Sequence, residues 1–404
     1  MTHESLRPLL QNRCVAVLYL NFGPYHVARL RAIAAALQPF NCRLEAIELS
    51  SVEKQYPWRV SRQNEPFGWH TLFPDREVES LSASEQNAAI TDLLAKLNPA
   101  SVVIPGWSHP FLRGALAWCR KSRAISVLCG DSTANTGLKG WQPAKRPWYK
   151  ELAKRWMIRG TDAAQASGEE CRQYFASLGI PRDRIFLKYD VVDNEYFARV
   201  ADETRRDAAT WRAKFGTPDK FFFYPARMLE VKNHPRLLAA YGLYLRRVGD
   251  RAWGLVMVGS GPDEKIVDDK IAALASPLVQ RKSYAQIEDV ARYYGLASAL
   301  LFPSWKETWG LIVNEAEAAG LPIVISSGCT VNEHLMRDGE NGFVFDPFNV
   351  EQMADCMTRM TLLGQTEYDA MCAASRRIVA DWDVSDHAHE LLNAMRAGAN
   401  ARRR

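Results

Sequence analysis

Apolar runs alternate with helix-length amphipathic segments along two stretches of this chain. In the first stretch, Cys14–Leu20 is a continuous apolar run, as in a parallel strand covered on both faces, and helical periodicity follows from Tyr25 to Leu37. Strand-like segments recur at 42–49, 101–105 and 124–130, the last two preceded by helical segments. This alternation predicts a doubly wound α/β domain.

The same alternation begins again near residue 219. Strand-like runs occur at 220–227, 252–262, 298–304 and 322–327, with a helical segment at 234–248 after the first of them. The residues between the two stretches read as a connection followed by a charged helix. We therefore predict two domains, 1–198 and 199–383.

A long stretch of the first domain, residues 50–82, shows no clear periodicity. Loops of this length are usually functional or mobile. Its aromatic residues Tyr56, Trp58, Trp69 and His70 suit stacking on a sugar, and they suit local packing equally well.

Composition is that of an ordinary globular protein, with 404 residues, 47% hydrophobic and 24% charged. The formal charge of +5 is too small to indicate nucleic acid. Eight cysteines without a CxxC pair predict buried, reduced thiols. With neither a signal-peptide pattern nor an apolar run of about 18 residues, we expect a cytoplasmic protein whose membrane contact is at most peripheral.

Two short motifs of the second domain follow predicted strands. Arg227 and Lys232 come just after the first strand, where α/β sheets bind ligands, and an Arg with a Lys suits a diphosphate. A solvated charge pair is the alternative. Gly259 and Gly261, in "VGSGP", either let backbone approach a ligand or form an ordinary turn.

Two glutamates flank a predicted helix start in "PSWKETWGLIVNEAEAAGLPI". The apolar pattern predicts a short buried helix that begins near Gly310 and ends at Gly320 and Pro322. Free amides and the positive dipole end make a helix start an anion site. Glu307 and Glu315 would then bind hydroxyls on either side of a phosphate. The alternative is a capping acid plus a surface glutamate.

Together these motifs resemble the retaining glycosyltransferases of family 4. The Glu-x7-Glu signature of that family stands here as "ETWGLIVNEAEAAGLP", with Trp309 in the aromatic position. Its Arg-x4-Lys corresponds to Arg227 and Lys232, and its VGxGP turn to 258–262. The resemblance covers most of residues 14–385. It implies the GT-B fold, an α/β architecture of two Rossmann-like doubly wound parallel-sheet domains facing a central cleft.

The resemblance implies roles for individual residues of the second, nucleotide-sugar-binding domain. Arg227 and Lys232 would hold the diphosphate, Glu315 the ribose hydroxyls, and Glu307 the hydroxyls of the transferred sugar. Further donor contacts are implied at Gly23, Gly259, Gly261, Tyr284, Trp309, Gly310 and Leu311.

In the first, acceptor-binding domain, the resemblance singles out two further positions. Gly23, in "NFGPYH", would lie near the reacting phosphate, although Pro24 stands where the family commonly has a second glycine. His109 would face the donor sugar, or it is a capping or core histidine. By the same analogy, the final helix 384–404 packs back onto this domain.

The expected reaction moves a hexose-type sugar, with retention, from a UDP- or GDP-sugar to a hydroxyl of a saccharide acceptor. No cofactor or metal is expected, because the Asp381-Trp382-Asp383 motif precedes a helix and is better explained by capping. Two alternatives stay open: a GT-B-fold sugar-nucleotide epimerase, and a non-catalytic sugar-nucleotide-binding protein.

Residues 139–159 are basic and aromatic, with seven Lys or Arg residues, one acid, three Trp and one Tyr. Such a segment can lie on an anionic membrane, bind an acidic acceptor, or form a solvated face. No base-reading motif accompanies it, so nucleic acid is not expected. A lipid-linked saccharide at the inner face of a bacterial membrane, in polysaccharide or glycolipid synthesis, is the preferred acceptor class. The candidate acceptor or membrane residues are Trp58, Trp69, Lys145, Arg146, Lys150, Lys154 and Arg155.

Overall fold

A computed structural model of the chain shows two compact units. It describes residues 3–52, 58–134 and 148–403. The first unit comprises Met1–Val192 and Asp383–Arg404, and the second comprises Asp193–Trp382. The chain therefore leaves the first unit once and returns to it once.

The first unit is built on seven parallel strands. They are β1 Cys14–Tyr19, β2 Arg43–Val52, β3 Gly68–Glu77, β4 Ser101–Pro105, β5 Ile125–Gly130, β6 Ala163–Ala166 and β7 Ile185–Phe186. The helices that precede the second unit are α1 Arg7–Leu10, α2 Pro24–Leu37, α3 Ala83–Leu97, α4 Pro110–Ser122, α5 Trp148–Ile158 and α6 Glu169–Ser177.

The second unit is built on six parallel strands. They are β8 Phe221–Pro225, β9 Gly254–Val258, β10 Val279–Lys282, β11 Ala299–Phe302, β12 Ile323–Ser326 and β13 Gly342–Phe345. Its helices are α7 Asn194–Arg206, α8 Ala208–Phe215, α9 His234–Val248, α10 Glu264–Leu274, α11 Ile287–Leu296, α12 Leu311–Ala318, α13 Asn332–Leu335, α14 Val350–Leu362 and α15 Gln365–Val379. The last helix, α16 Val384–Arg403, belongs to the first unit.

Alternate residues of β1 enter cores on opposite faces of the first sheet. Val15, Val17 and Tyr19 pack with residues of α2 and α16. Ala16 and Leu18 pack with residues of α3 and α4. The strand order is β3-β2-β1-β4-β5-β6-β7, with parallel pairing between neighbours. Both faces of the sheet are covered, so the predicted doubly wound architecture is confirmed.

The prediction that residues 50–82 lack periodic structure was wrong. They contain β3, which pairs parallel with β2 from Gly68 opposite Glu45. This strand lies at the edge of the sheet, its residues are half-buried or exposed, and it contains Pro74 and Asp75. An edge strand tolerates such residues, and it therefore lacks the apolar run by which buried strands are found.

The second sheet has the order β10-β9-β8-β11-β12-β13. The short helix predicted near Gly310 is confirmed as α12, an eight-residue helix in which six residues are buried. Gly310 precedes it with φ +110°, and Gly320 follows it with φ +77°. Both positions lie in the left-handed region that glycine adopts without strain.

Helix α16 is anchored on the first sheet. It packs against α2 and against strands β5, β6 and β7. Near its end, the guanidinium of Arg402 donates to both oxygens of the Asp162 carboxylate at 2.6 and 2.7 Å. Asp162 also accepts from the backbone N–H and the hydroxyl of Ser126 at 2.8 and 2.9 Å. The helix thus completes the core of the first unit.

Candidate active site

Each sheet reverses its strand order beside its first strand, and the predicted site residues follow the strands at these points. In the second unit, Arg227 and Lys232 follow β8, and Glu307 follows β11. In the first unit, Gly23 follows β1 and His109 follows β4. Open α/β sheets bind ligands outside the carboxyl ends of strands at such points.

The loops after β8 and β11 bring a lysine and a glutamate together. The amino group of Lys232 contacts the carboxylate of Glu307, 75 positions away, and each side chain is 19% exposed. The backbone N–H of Trp305 donates to the Val231 carbonyl at 3.1 Å, and its indole N–H donates to the Glu230 carbonyl at 3.1 Å. The two loops are therefore tied by main-chain contacts as well as by charge.

Two buried residues hold the main chain around Lys232. Asn233, at φ +63°, donates through Nδ2 to the carbonyls of Pro303 and Pro347 at 3.0 and 2.7 Å. The hydroxyl of Tyr224 donates to the Lys232 carbonyl at 2.8 Å. These hydrogen bonds fix the main chain from which the Lys232 side chain extends.

The start of α12 has the geometry of an anion site. A Cβ at Gly310 would lie 2.5 Å from the Phe302 ring, so only glycine fits there. Gly310, the N-cap residue, has no side chain with which to cap this helix start. The first amides, beginning with that of half-buried Leu311, point along the positive end of the helix dipole. Glu315 lies one turn further on and is buried, with 1% exposure.

The ring of Trp309 belongs to the core of the second unit. Its indole N–H donates to the Asn314 side-chain oxygen at 3.0 Å, and the ring stacks on Trp382 with centroids 5.2 Å apart. The ligand contact predicted for Trp309 is through its backbone amide, which this packing of the ring leaves possible.

The glycine turn after β9 lies against the loop that carries Arg227. A Cβ at Gly259 would come within 2.1 Å of the Ala226 carbonyl oxygen, and one at Gly261 within 2.4 Å of the Met228 carbonyl oxygen. These glycines therefore position half-buried Arg227 by allowing close backbone contact.

The residue predicted beside the nucleotide base adjoins the same turn. Tyr284 follows β10 and is half-buried. Two positions earlier, the carbonyl of Lys282 accepts from the backbone N–H of Gly259 at 3.1 Å. The structure thus brings Tyr284, Arg227, Lys232, Glu307 and the start of α12 into loops at one edge of the second sheet.

The two predicted residues of the first unit lie after neighbouring strands. Gly23 precedes α2, its N–H donates to Nδ1 of His26 at 3.0 Å, and a Cβ there would meet the Trp58 ring at 3.1 Å. His109 precedes α4 and is half-buried. Desolvation, and then the charge of Arg113, lower the pKa of His109. This shift favours the neutral imidazole.

A buried carboxylate on β2 was not predicted from the sequence. Glu48 is 2% exposed and accepts from the backbone N–H of Phe22, the guanidinium of Arg62 and the indole N–H of Trp69, each at 2.9 Å. It also accepts from the Thr71 hydroxyl at 2.7 Å. Trp69, predicted to stack on a sugar, thus uses its indole N–H in a hydrogen bond within the protein. The available signal was an acid inside an apolar strand.

Helix α5 exposes a continuous apolar stripe. Trp148, Leu152 and Trp156 follow one another at four-residue spacing and are 74%, 49% and 72% exposed. Tyr149 beside them is 57% exposed. In the described part of the chain, no helix combines the length and apolarity needed to cross a bilayer.

The basic residues predicted around this stripe have different surroundings. Lys150 is exposed, and Arg155 donates to the Ser177 carbonyl at 2.6 Å. Lys154 lies on the inner side of α5, where it donates to the Tyr174 hydroxyl at 2.7 Å and pairs with Glu151 at 3.0 Å. The predicted Lys145 and Arg146 lie outside the described residues.

A cavity of about 330 Å³ opens at the carboxyl ends of β4 and β5. Its lining includes Trp107, Ser108, Asp131, Ser132 and Lys154. Hydroxyl, carboxylate and amino groups beside an aromatic ring can bind a polyhydroxylated ligand. Among these residues, only Lys154 was predicted from the sequence, because the others belong to no motif.

The described residues contain no group of three His, Cys, Asp or Glu side chains that could hold a metal ion. In the Asp381-Trp382-Asp383 motif, the Asp383 carboxylate accepts from the N–H and the hydroxyl of Ser385 at 3.4 and 3.2 Å. These contacts are those of a helix cap at the start of α16.

Residues 206–376 match the family model described as glycosyl transferases group 1. D-inositol 3-phosphate glycosyltransferase of Nocardia farcinica is 27% identical over 276 residues, which cover 63% of this chain and 59% of that protein. Alpha-monoglucosyldiacylglycerol synthase of Acholeplasma laidlawii is 34% identical over 122 residues, 30% of each chain. The matched part of the chain thus spans less than two thirds of these relatives.

Solved structures match over nearly the whole chain. A glycosyltransferase from Rickettsia africae has a TM-score of 0.73 at 15% identity, covering 96% of this chain and 98% of its own. HepE of Anabaena, in complex with UDP and glucose, has a TM-score of 0.69 at 11% identity, covering 94% and 98%. The two units therefore have the GT-B fold, and residues 206–376 carry the sequence pattern of the group 1 glycosyl transferases.

Proposed function

We propose that this chain is a retaining glycosyltransferase of family 4 that transfers a hexose-type sugar from a nucleoside diphosphate sugar to a hydroxyl of a saccharide acceptor. The match of residues 206–376 supports the transferase class. A structure of the same fold that holds UDP supports a UDP-sugar as the first donor to test and a GDP-sugar as the second.

The contact between Lys232 and Glu307 carries the proposal, because it joins a phosphate-binding cation to a hydroxyl-binding acid at the carboxyl edge of the second sheet. In the proposed complex, Arg227 binds the diphosphate in bidentate fashion and Lys232 acts as a point charge. Glu307 accepts hydrogen bonds from the sugar, and Glu315 accepts them from the ribose. The donor therefore replaces part of the contact between Lys232 and Glu307.

In the reaction, the bond between the anomeric carbon and the β-phosphate oxygen breaks, and its electron pair stays on the phosphate. Arg227, Lys232 and the first amides of α12 stabilise this charge more as it develops than before. The acceptor oxygen bonds to the anomeric carbon on the same face and passes its proton to the departing phosphate. These fixed cations supply the charge stabilisation without a metal or other cofactor.

We assign the acceptor to the first unit. The cavity beside β4 and β5 offers hydroxyl, acidic and basic groups for a saccharide. Beside it, α5 exposes Trp148 and Trp156, and a relative is named for the synthesis of a glycolipid. We propose a lipid-linked saccharide as acceptor, and a cytoplasmic enzyme that works at the inner face of the bacterial membrane in polysaccharide or glycolipid synthesis.

A donor panel tests the reaction class. The chain is incubated with UDP-, GDP- and ADP-sugars, with and without bacterial lipid extract and with and without EDTA, and nucleotide release and sugar products are followed. Release that depends on lipid extract and persists in EDTA supports the proposal. An isomerised donor would instead indicate an epimerase, and binding without turnover a non-catalytic protein.

Variants test the site itself. Lys232→Ala and Glu307→Gln should each lower kcat about a hundredfold, since each removes a fixed partner of the reacting groups. Glu340→Gln is the control, because it removes an acid that pairs with Arg377 on the surface of the same unit. Full activity in either site variant would contradict the assignment.

A further inference from the structure

The loop between β1 and α2 is bound by the Glu48 side chain, in addition to backbone hydrogen bonds from Leu49 and Ser50 to the Leu20 carbonyl. The Phe22 N–H donates to Oε2 of Glu48, while Oε1 of Glu48 accepts from Arg62, Trp69 and Thr71. The carboxylate thus accepts four hydrogen bonds within the protein, three at Oε1 and one at Oε2. Glu48 thus ties the loop to β3 and to the segment before it.

At the described positions 22–24, no backbone N–H is left for a ligand. The Phe22 N–H is bound to Glu48, the Gly23 N–H is bound to His26, and Pro24 has none. From Phe22 to Pro24 the backbone therefore offers a ligand its shape rather than hydrogen-bond donors. How well the loop fits a neighbouring ligand depends on the position in which Glu48 holds the loop.

The ring of Phe22 reinforces the same tie. It meets the Trp69 ring edge-on with centroids 4.7 Å apart, and the Arg62 guanidinium lies 5.2 Å from the Trp69 ring centroid. Two of the groups that bind the Glu48 carboxylate therefore also shape the packing around Phe22.

We propose that Glu48 is a positioning residue for sugar transfer, which sets the loop 21–24 at the switch point of the first sheet. The inference rests on the proposed function, in which the first unit binds the acceptor, because this loop lies at the carboxyl end of β1, where open α/β sheets bind ligands. Glu48 acts through the loop and does not itself touch the substrate.

Glu48→Gln is a selective probe of this tie. The glutamine can keep its oxygen toward Arg62, Trp69 and Thr71, but its amide group then faces the Phe22 N–H, and two donors oppose each other. The hydrogen bond to the Phe22 N–H is lost while the contacts with Arg62, Trp69 and Thr71 persist. We expect kcat to fall about tenfold to a hundredfold with little change in the donor KM, because misplacement by about 1 Å has effects of this size.

The matched control is Glu45→Gln on the same strand. Glu45 is also buried, but it contacts Nε2 of His70 on β3 at 2.8 Å rather than the loop. A second readout needs no turnover: hydrogen exchange of the Phe22 amide should be at least about tenfold faster in Glu48→Gln than in Glu45→Gln.

Three outcomes would overturn the inference: a kcat within twofold of wild type in Glu48→Gln, an equal loss of kcat in Glu45→Gln, or unchanged exchange at Phe22. A wild-type chain that transfers no sugar would overturn the proposed function, and with it the positioning role in catalysis. The exchange measurement would still decide whether Glu48 holds the loop.

Discussion

The surroundings of the Glu317 carboxyl group disfavour its ionised form. It lies on α12 two positions beyond Glu315 and is fully buried. Asn341 donates to its Oε1 at 2.7 Å, and Oε2 has no hydrogen-bond partner among the described residues. Burial raises the pKa of Glu317 well above its ordinary value of 4.5. At pH values between the pKa of the unfolded state and that of the folded state, the folded chain therefore keeps a proton that the unfolded chain releases.

This raised pKa makes stability depend on pH. The contribution of Glu317 is fully present below about pH 4.5 and is lost as pH rises toward the folded-state pKa. Glu317→Gln, which cannot ionise, should therefore be as stable as wild type at pH 4.5 and increasingly more stable above it. Urea denaturation between pH 4.5 and 9 measures the difference. The exposed Glu340→Gln should show no such trend, and a flat difference for Glu317→Gln would contradict the prediction.

At the scale of elements, the turn after β9 controls the loop after β8. An alanine at Gly259 has no room beside the Ala226 carbonyl, so the loop bearing Arg227 must move. We expect Gly259→Ala to lose about 3 kcal/mol or more of unfolding free energy, from crowding plus backbone strain. UDP binding should weaken about tenfold with it, because Arg227 is displaced.

Gly339→Ala is the control that distinguishes the effect of crowding from the effect of backbone strain. Gly339 also has a positive φ, +80°, but open space around its Cβ position. Its replacement should cost only about 1–2 kcal/mol and leave UDP binding unchanged. Equal effects of the two variants, by denaturation and by UDP titration, would show that close backbone contact is not what Gly259 provides.

The exposed stripe of α5 makes a prediction about membranes. Replacing both Trp148 and Trp156 with alanine should weaken binding to phosphatidylglycerol-containing vesicles at least about tenfold, because two aromatic rings no longer enter the bilayer interface. The control replaces Ile266 and Leu362, two exposed apolar residues of the second unit, with alanine. Vesicle sedimentation at low and high salt measures binding. If the wild-type protein does not bind the vesicles at low salt, the membrane proposal is wrong.

Elements covered on both faces were predictable from the sequence, because continuous apolar runs mark them. The edge strand β3 was not, since half-burial leaves no such run. Arg227, Lys232 and Glu307 were selectable from motif spacing. The hydrogen bonds to Glu48 were not predictable, because they depend on the pairing of β2 with β3 and on a loop 26 positions away.

At the scale of the whole molecule, two units with separate cores share one chain. Arg402→Ala breaks a bidentate contact with Asp162 and leaves that carboxylate with Ser126 alone among the described partners. We expect it to destabilise the first unit by about 2 kcal/mol, the scale of hydrogen bonds to charged groups. UDP should stabilise the second unit, by about 2.7 kcal/mol at 100 times its dissociation constant.

Scanning calorimetry can separate these effects. Arg402→Ala should lower one unfolding transition and UDP should raise the other. Arg377→Ala, which removes a surface partner of Glu340 in the second unit, is the control for loss of an arginine. A single transition that responds to both changes would show that the two units unfold together.

The return of the chain at Asp383 also reverses the usual order of folding during synthesis. Domains generally fold as they leave the ribosome, the amino-terminal one first. Here Leu391, Leu392 and Met395 of α16 complete the core of the first unit, and they are made only after the whole second unit. The second unit can therefore fold while the first still lacks its last helix, and until then part of an apolar sheet face stays uncovered in the nascent chain, where a chaperone could bind.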